Sequence, residues 1–216
     1  MRKIIVLLLF MSCATAYSQD QSLLFVFLNK KTDAEVLPKE QHDKLMEGHM
    51  ANITKLAKEG KLIAAGPFDG GGGIFILKSG SIEEAKGWLS ADPGIQAKRW
   101  DVEILPYKVR YGSVCAVSAP YEMTSYHFVR YSTNLTKFNV ADAGTTFKNH
   151  DDYLKSIIKT GNVITEGVFG ERDGGILILK GDLQKEVIEK DPALLEGLFL
   201  VDFKKLWIAK GSFCEK

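Results

Sequence analysis

Residues 49–68 read HMANITKLAKEGKLIAAGPF, and this stretch is the best guide to the fold because the chain repeats its pattern. The first copy places His49 eleven positions before a glycine, and His150 has the same spacing 101 residues later. Each copy continues with a glycine-rich turn, an apolar segment and an Asp-Pro pair, Asp92-Pro93 and Asp191-Pro192. Self-similarity at a fixed period indicates a repeated structural unit. We therefore expect one unit built twice.

The hydrophobic pattern predicts the same order of elements in both copies. Pro38 suits the first turn of a long helix, and Gly60 is a usual stop after its end. The order strand–helix–strand–strand–helix–strand is the ferredoxin-like arrangement. In the first copy we predict strands at 23–28, 61–67, 73–78 and 100–107, with helices at 38–59 and from Ser81. In the second copy we predict strands at 125–131, 162–168, 175–180 and 198–208, with helices at 142–160 and 182–190.

Two of the predicted strands are apolar on both faces, which constrains how the copies pack. Residues 23–28 read LLFVFL and residues 176–179 read ILIL. The helices of a ferredoxin-like unit cover one sheet face, so the other face must also be buried. We predict an α+β protein in which two ferredoxin-like repeats, 20–108 and 124–210, pack as an intramolecular dimeric α+β barrel. Residues 109–123 would link them, and residues 211–216 would form a C-terminal tail.

The N-terminal segment has the pattern of a signal peptide. Arg2-Lys3 precedes an apolar run at 4–10, and small residues follow at 14–16. This pattern predicts removal of residues 1–19 and a secreted or periplasmic protein. Cys13 permits a second interpretation, a lipoprotein anchor, but Phe10 stands where such sites usually carry Leu. We favour simple cleavage.

The charge balance argues against two classes of partner. Loss of Arg2-Lys3 would leave 26 basic and 27 acidic residues, interspersed along the chain. A near-neutral surface without a basic stripe disfavours nucleic acid and anionic membranes as partners. No later segment approaches the ~20 apolar residues of a membrane span. We expect a monomer or homodimer that binds a small molecule.

Cleavage would also leave two cysteines, Cys115 and Cys214. They lie eight residues past Tyr107 and seven past Trp207, near the ends of the two repeats. A pseudo-two-fold axis could bring these tails together, and an oxidising compartment favours pairing. We predict a Cys115–Cys214 disulfide. The alternative is two separate small apolar side chains.

The chain resembles the YCII-related (YciI-like) family. The resemblance rests on the histidine eleven residues before glycine, on EGKLIAAGPF at 59–68, on GIFIL after the glycine turn, and on Asp92-Pro93. It covers about 85 residues in each copy and is weaker in the second, where Val168 replaces the proline. It implies ferredoxin-like domains paired in α+β barrels. It also implies an enzymatic role for a His and an Asp, which correspond to His49 with Asp92 and His150 with Asp191.

Each of these residues also has a purely structural interpretation. Both histidines lie on apolar helix stripes, where an imidazole can be a general acid–base or a hydrogen-bonded core residue. An aspartate before proline can orient an imidazole, or it can simply end one helix and begin a turn. Sequence alone does not decide whether the His and Asp touch.

We predict neither a metal nor a cofactor. His42 and His49 lie two helical turns apart, about 10 Å of rise, which is too far for one ion. The glycines at 70–73 lead into a strand, so they indicate a hairpin turn, whereas a phosphate-binding loop leads into a helix.

Two functions remain open. The first is proton-transfer chemistry of lyase or isomerase type on a small organic molecule, with His49 and Asp92 favoured over the second pair and Trp100 or Phe68 as pocket walls. The second is a non-catalytic module that binds a small ligand or acts as a scaffold.

Overall fold

The computed structural model describes residues 22–134, 136, 140–171, 173–182 and 185–215. The predicted signal peptide and Cys13 lie outside these residues, so export and lipidation stay predictions. None of the helices in the described ranges is long and apolar enough to cross a membrane.

The first repeat has the predicted order of elements. Ser81 caps its second helix by accepting a hydrogen bond from the Glu84 N–H. A third helix begins at Pro93. Proline cannot continue the preceding helix because it lacks an N–H, but it suits the first turn of a new one. Strand β4 runs four residues beyond its predicted end, into the predicted linker. The elements are β1 (Ser22–Lys30), α1 (Lys39–Lys58), β2 (Leu62–Pro67), β3 (Gly73–Ser79), α2 (Ile82–Leu89), α3 (Pro93–Gln96) and β4 (Trp100–Tyr111).

The second repeat follows the same order, with a 3-10 turn at Val140–Asp142 before its long helix. The predicted helix at 182–190 is shorter in the described residues. The elements are β5 (Met123–Thr133), α4 (Ala143–Ile158), β6 (Val163–Phe169), β7 (Gly174–Leu179), α5 (Lys185–Ile188), α6 (Pro192–Leu195) and β8 (Phe199–Ala209).

The glycine-rich segment between β2 and β3 is a hairpin turn, as predicted. The Phe68 N–H donates to the Gly72 carbonyl over 3.1 Å. Gly72 has a φ of 76°, and a Cβ there would lie 2.4 Å from the Leu28 carbonyl oxygen. Only glycine fits this close approach.

The eight strands form one antiparallel sheet in the order β2-β3-β1-β4-β6-β7-β5-β8. The β4–β6 seam joins the repeats, pairing Tyr107 with Phe169. At the other end, Phe68 forms a bridge with Leu206, and the Asp69 N–H donates to the Lys205 carbonyl over 3.0 Å. The sheet therefore closes on itself. This confirms the predicted α+β fold, in which two ferredoxin-like repeats form one barrel.

Aromatic side chains fill the barrel interior, so the interior is a packed core. Phe25 lies 5.4 Å from Phe169 between ring centres, and Phe68 lies 4.9 Å from Phe128. The prediction that Phe68 is a pocket wall beside His49 is therefore wrong, because Phe68 points into the barrel. Two further cores lie outside the barrel, one under the helices of each repeat.

A disulfide joins Cys115 to Cys214, with 5.3 Å between their Cα atoms. The Cys115 N–H also donates to the Ser212 carbonyl over 2.9 Å. The segment between the repeats is thus fastened to the C-terminal tail.

Candidate functional site

The first His–Asp pair is in direct contact. His49 lies on α1, and Asp92 is the residue that caps α3. The His49 Nδ1 lies 2.8 Å from Asp92 Oδ2, while Asp92 Oδ1 accepts the N–H groups of Gly94 and Ile95. Asn52 also donates to Oδ2 over 3.2 Å. The two interpretations of Asp92 therefore hold together, because one carboxylate caps a helix and orients an imidazole.

The environment of Asp92 keeps its carboxyl ionised. Burial raises the pKa, but the hydrogen bond and charge of His49, with further hydrogen bonds from Asn52 and Ile95, outweigh it. The pKa of Asp92 is consequently lowered from its ordinary 3.8. An ionised carboxylate only accepts hydrogen bonds, so His49 carries its proton on Nδ1.

The second repeat reproduces this geometry. His150 Nδ1 on α4 lies 2.7 Å from Asp191 Oδ2, and Asp191 Oδ1 accepts the Ala193 N–H at the start of α6. Phe199 stands edge-on to His150 with 4.9 Å between ring centres. Trp100 takes the corresponding position beside His49, at 4.8 Å, where it was predicted to form a wall.

A cavity of about 390 Å³ adjoins the second pair. It lies between α4 and the sheet, and its volume is in the range of small-molecule sites. Its lining combines aromatic and aliphatic side chains with charged ones. The lining includes His150 with Tyr131, Phe147, Leu154, Ile176 and Phe199, and the charged residues are Lys108, Arg110, Asp151, Glu166 and Glu171. The sequence favoured the first pair, whereas this cavity lies at the second.

Both repeats supply residues to this cavity. Arg110 of β4 donates to both carboxylate oxygens of Glu166 on β6, and its Nη1 lies 2.7 Å from Asp151 Oδ1 on α4. Burial lowers the pKa of Arg110, but the hydrogen bonds and charges of Glu166 and Asp151 outweigh burial and raise it. The cavity is complete only when the two repeats are joined.

No metal centre is formed by the residues whose structure is described, since no three His, Cys, Asp or Glu side chains converge there. Among the described residues, none forms a hydrogen bond with His150 Nε2. This nitrogen can therefore exchange a proton with a bound molecule.

Comparison with known families now places the first repeat. Residues 23–108 match the YCII-related domain. The match ends near the end of the first repeat. The second repeat resembles the first in the order of its elements. No curated protein matches the sequence with significant similarity.

Solved structures with a similar fold span most of the chain. An anthrone oxidase-like protein has a TM-score of 0.51 and 8% identity, over 88% of this chain and 92% of that chain. A candidate monooxygenase from Lactobacillus acidophilus has a TM-score of 0.42 and 12% identity, over 87% of this chain and 93% of that chain. The likeness to the anthrone oxidase-like structure, at 8% identity, shows a shared fold alone.

The sequence did not reveal Tyr131, Arg110 or Glu166 as cavity residues. Two signals were present. Glu166 is a charged residue inside the apolar strand β6, and Tyr131 stands where the first repeat has an aliphatic residue. Neither signal indicates which elements meet, because Arg110 and Glu166 are 56 positions apart.

Proposed function

We propose that the second repeat carries an acid–base site that transfers a proton on a small organic molecule, in chemistry of the lyase or isomerase type. One observation carries the proposal: His150 lines a cavity while its Nδ1 is bonded to the buried Asp191. A positioned imidazole that titrates near neutral pH is a common general acid–base. The first repeat, which matches the YCII-related domain, holds a His–Asp pair of the same geometry.

Each residue of the pair has a defined role in this proposal. Asp191 accepts the Nδ1–H of His150 and thereby leaves a lone pair on Nε2. Nε2 removes a proton from the bound molecule, and the resulting imidazolium is stabilised by the Asp191 carboxylate. Nε2 then returns the proton to another atom of the molecule, or to the leaving group. The helix cap fixes Asp191, so His150 needs no rearrangement during the cycle.

The cavity wall indicates the kind of molecule. Two cationic and three acidic residues line it, and two of the acidic residues, Glu166 and Asp151, already bind Arg110. This balance disfavours an anion, and the aromatic side chains of the lining suit an apolar body. We therefore propose a neutral molecule with an apolar ring or chain.

Hydrogen–deuterium exchange tests the proposal without knowledge of the natural substrate. The protein is incubated in deuterated buffer with small ketones and aldehydes, and loss of carbon-bound protons is followed by NMR. We expect the wild type to accelerate exchange of at least one compound, and His150→Asn to reduce that rate by about 10²–10⁴. Asn preserves the contact with Asp191 and removes Nε2.

His49→Asn is the matched control in the first repeat, and it should leave the exchange rate nearly unchanged. If the exchange rate depends on His49 and not on His150, the acid–base site lies in the first repeat and the proposal is wrong. Saturable binding of these compounds without any exchange would support the alternative, a non-catalytic binding module.

We also propose that the protein is exported. The disulfide supports this, because such bonds persist in oxidising compartments. Expression of the full chain in a bacterium followed by intact-mass measurement tests it. The mature mass should lack about nineteen residues, whereas a mass increased by lipid at Cys13 would indicate anchoring.

A further inference from the structure

We propose that Tyr131 belongs to the same site and donates its hydroxyl to an oxygen of the bound molecule. The inference rests on the proposed function of His150 and narrows it. The substrates are then molecules whose reacting proton is bound to the carbon next to a carbonyl group. Removal of that proton places negative charge on the carbonyl oxygen.

Tyr131 is positioned for this role by its neighbours. It lies on β5 and lines the cavity. Its ring stands edge-on to the His150 imidazole at 5.1 Å between centres and lies 5.9 Å from the Phe199 ring. These contacts fix the ring beside the imidazole, on the wall of the same cavity.

The Tyr131 hydroxyl makes no hydrogen bond of ordinary geometry in the described part of the chain, although Tyr131 is 1% exposed. Asp191 lies near enough for a weak hydrogen-bond interaction with it. A buried polar group without a partner is costly and calls for an explanation. Tyr107 also has a buried hydroxyl without a partner, but it belongs to the barrel core. Tyr131 differs because it lines the cavity beside an acid–base candidate.

The hydroxyl keeps its proton. Burial raises the pKa of Tyr131 well above 10.0, and the negative charge of Asp191 raises it further. Tyr131 is therefore a hydrogen-bond donor throughout the range in which His150 would act. A neutral donor in a buried site stabilises a developing oxyanion without adding a competing charge.

The first repeat has no equivalent of this hydroxyl. Tyr131 pairs with Gly175, and Leu28 pairs with Gly73. Both glycines precede an Ile-x-Ile-Leu-Lys segment, so Leu28 and Tyr131 occupy the same place in their repeats. The hydroxyl is thus present in the repeat that has the cavity.

The chemical step balances within the site. His150 Nε2 takes a proton from the carbon next to the carbonyl, and the C–H electron pair forms a carbon–carbon double bond. The carbonyl π electrons move to oxygen, which accepts the Tyr131 hydroxyl hydrogen bond. Return of the proton to carbon or oxygen restores His150. No oxidant or further reactant is required.

A structural role for Tyr131 makes a different prediction. The hydroxyl lies close enough to Asp191 for its charge to act on it, and Asn52 donates to Asp92 in the first repeat. If Tyr131 serves only to support Asp191, its removal should destabilise the protein and leave ligand affinity unchanged.

Dimedone is a suitable probe, because its planar enolate reproduces the oxyanion that proton transfer to His150 would create from a neutral carbonyl compound, and its oxygens accept hydrogen bonds. Its binding to wild type, Tyr131→Phe and Tyr107→Phe is measured by titration calorimetry, with thermal unfolding of each ligand-free protein. We expect Tyr131→Phe to bind at least about tenfold more weakly, as one lost hydrogen bond to a charged group implies. Its Tm should stay equal or rise, and Tyr107→Phe should bind like wild type.

Three results would overturn the inference: wild type that does not bind dimedone, Tyr131→Phe that binds it equally well, or equal weakening in Tyr107→Phe. The inference about Tyr131 can also fail while the proposed function stands. If His150→Asn abolishes deuterium exchange while Tyr131→Phe keeps both exchange and affinity, proton transfer stands and Tyr131 has no part in it.

Discussion

Arg110 of the first repeat and Glu166 of the second form a bidentate ion pair across the β4–β6 seam. Arg110 Nη2 lies 2.7 Å from Glu166 Oε1, and Nε lies 3.1 Å from Oε2. The Glu166 side chain is 5% exposed, whereas that of Arg110 is 31% exposed. The pair also borders the cavity at His150, so the joint between the repeats and the candidate site share side chains.

Arg110→Met should destabilise the protein, because it leaves the Glu166 carboxylate buried without its partner. We expect a loss of about 2–3 kcal/mol in the free energy of unfolding, below a fully buried pair because Arg110 is partly exposed. Urea unfolding measures it. Lys148→Met, which breaks an exposed pair with Asp152 on α4, should leave stability nearly unchanged. Equal effects of the two substitutions would contradict a special role for the seam pair.

Gly66→Ala should weaken the contact between β2 and β8, where the two ends of the sheet meet. A Cβ at Gly66 would lie 2.4 Å from the backbone carbonyl oxygen of Trp207, so β2 and β8 would have to separate. We expect a loss of about 1–3 kcal/mol, the usual cost of overpacking, measured by thermal unfolding. Gly87→Ala is the matched control, because its Cβ would meet no atom within 4 Å in the interior of α2. That variant should be more stable than wild type, by about 0.5–1 kcal/mol.

Removal of the disulfide should lower the free energy of unfolding, because the unfolded chain would gain conformational entropy. The bond closes a loop with a sequence separation of 99 residues, and a loop of about 100 residues corresponds to about 4–5 kcal/mol in the chain-entropy model. The Cys115→Ser/Cys214→Ser variant should unfold at lower urea concentration, and reductant should affect wild type alone. Alkylation of both cysteines in unreduced, unfolded wild type would show that the bond is absent.

Asp92→Asn should remove part of the pH dependence of stability. Because the pKa of Asp92 is lower in the folded chain than its ordinary 3.8, its stabilisation is complete above that value. The stabilisation is lost as the pH falls through the lower folded-state pKa. The variant should be about 1–3 kcal/mol less stable than wild type near pH 7, and the difference should shrink towards pH 2.

Unfolding in urea at a series of pH values measures this dependence. Asp33→Asn is the control, because the Asp33 side chain is 78% exposed and makes only a 3.8 Å contact with Lys31. It should behave like wild type at every pH. A difference between Asp92→Asn and wild type that stays constant with pH would show that the carboxylate charge contributes nothing.

Much of the candidate site follows from local signals. His49 and His150 lie on helix stripes at the same register, and Asp92 and Asp191 stand before prolines that begin new helices. Such positions depend on periodicity and capping, which act within a few residues along the chain. This is why the His–Asp candidates could be named before their contacts were known.

The repeated unit, the order of its elements and the candidate pairs could be predicted from the amino-acid sequence, because hydrophobic period, turn residues and helix caps act locally. The packed structure was needed to show that the cavity adjoins His150, that Arg110 reaches Glu166, and that Tyr131 lies beside the imidazole. These depend on which strands meet at the seams and how side chains fill the space between them. Packing of that kind links residues far apart in the chain, and no short stretch of sequence contains it.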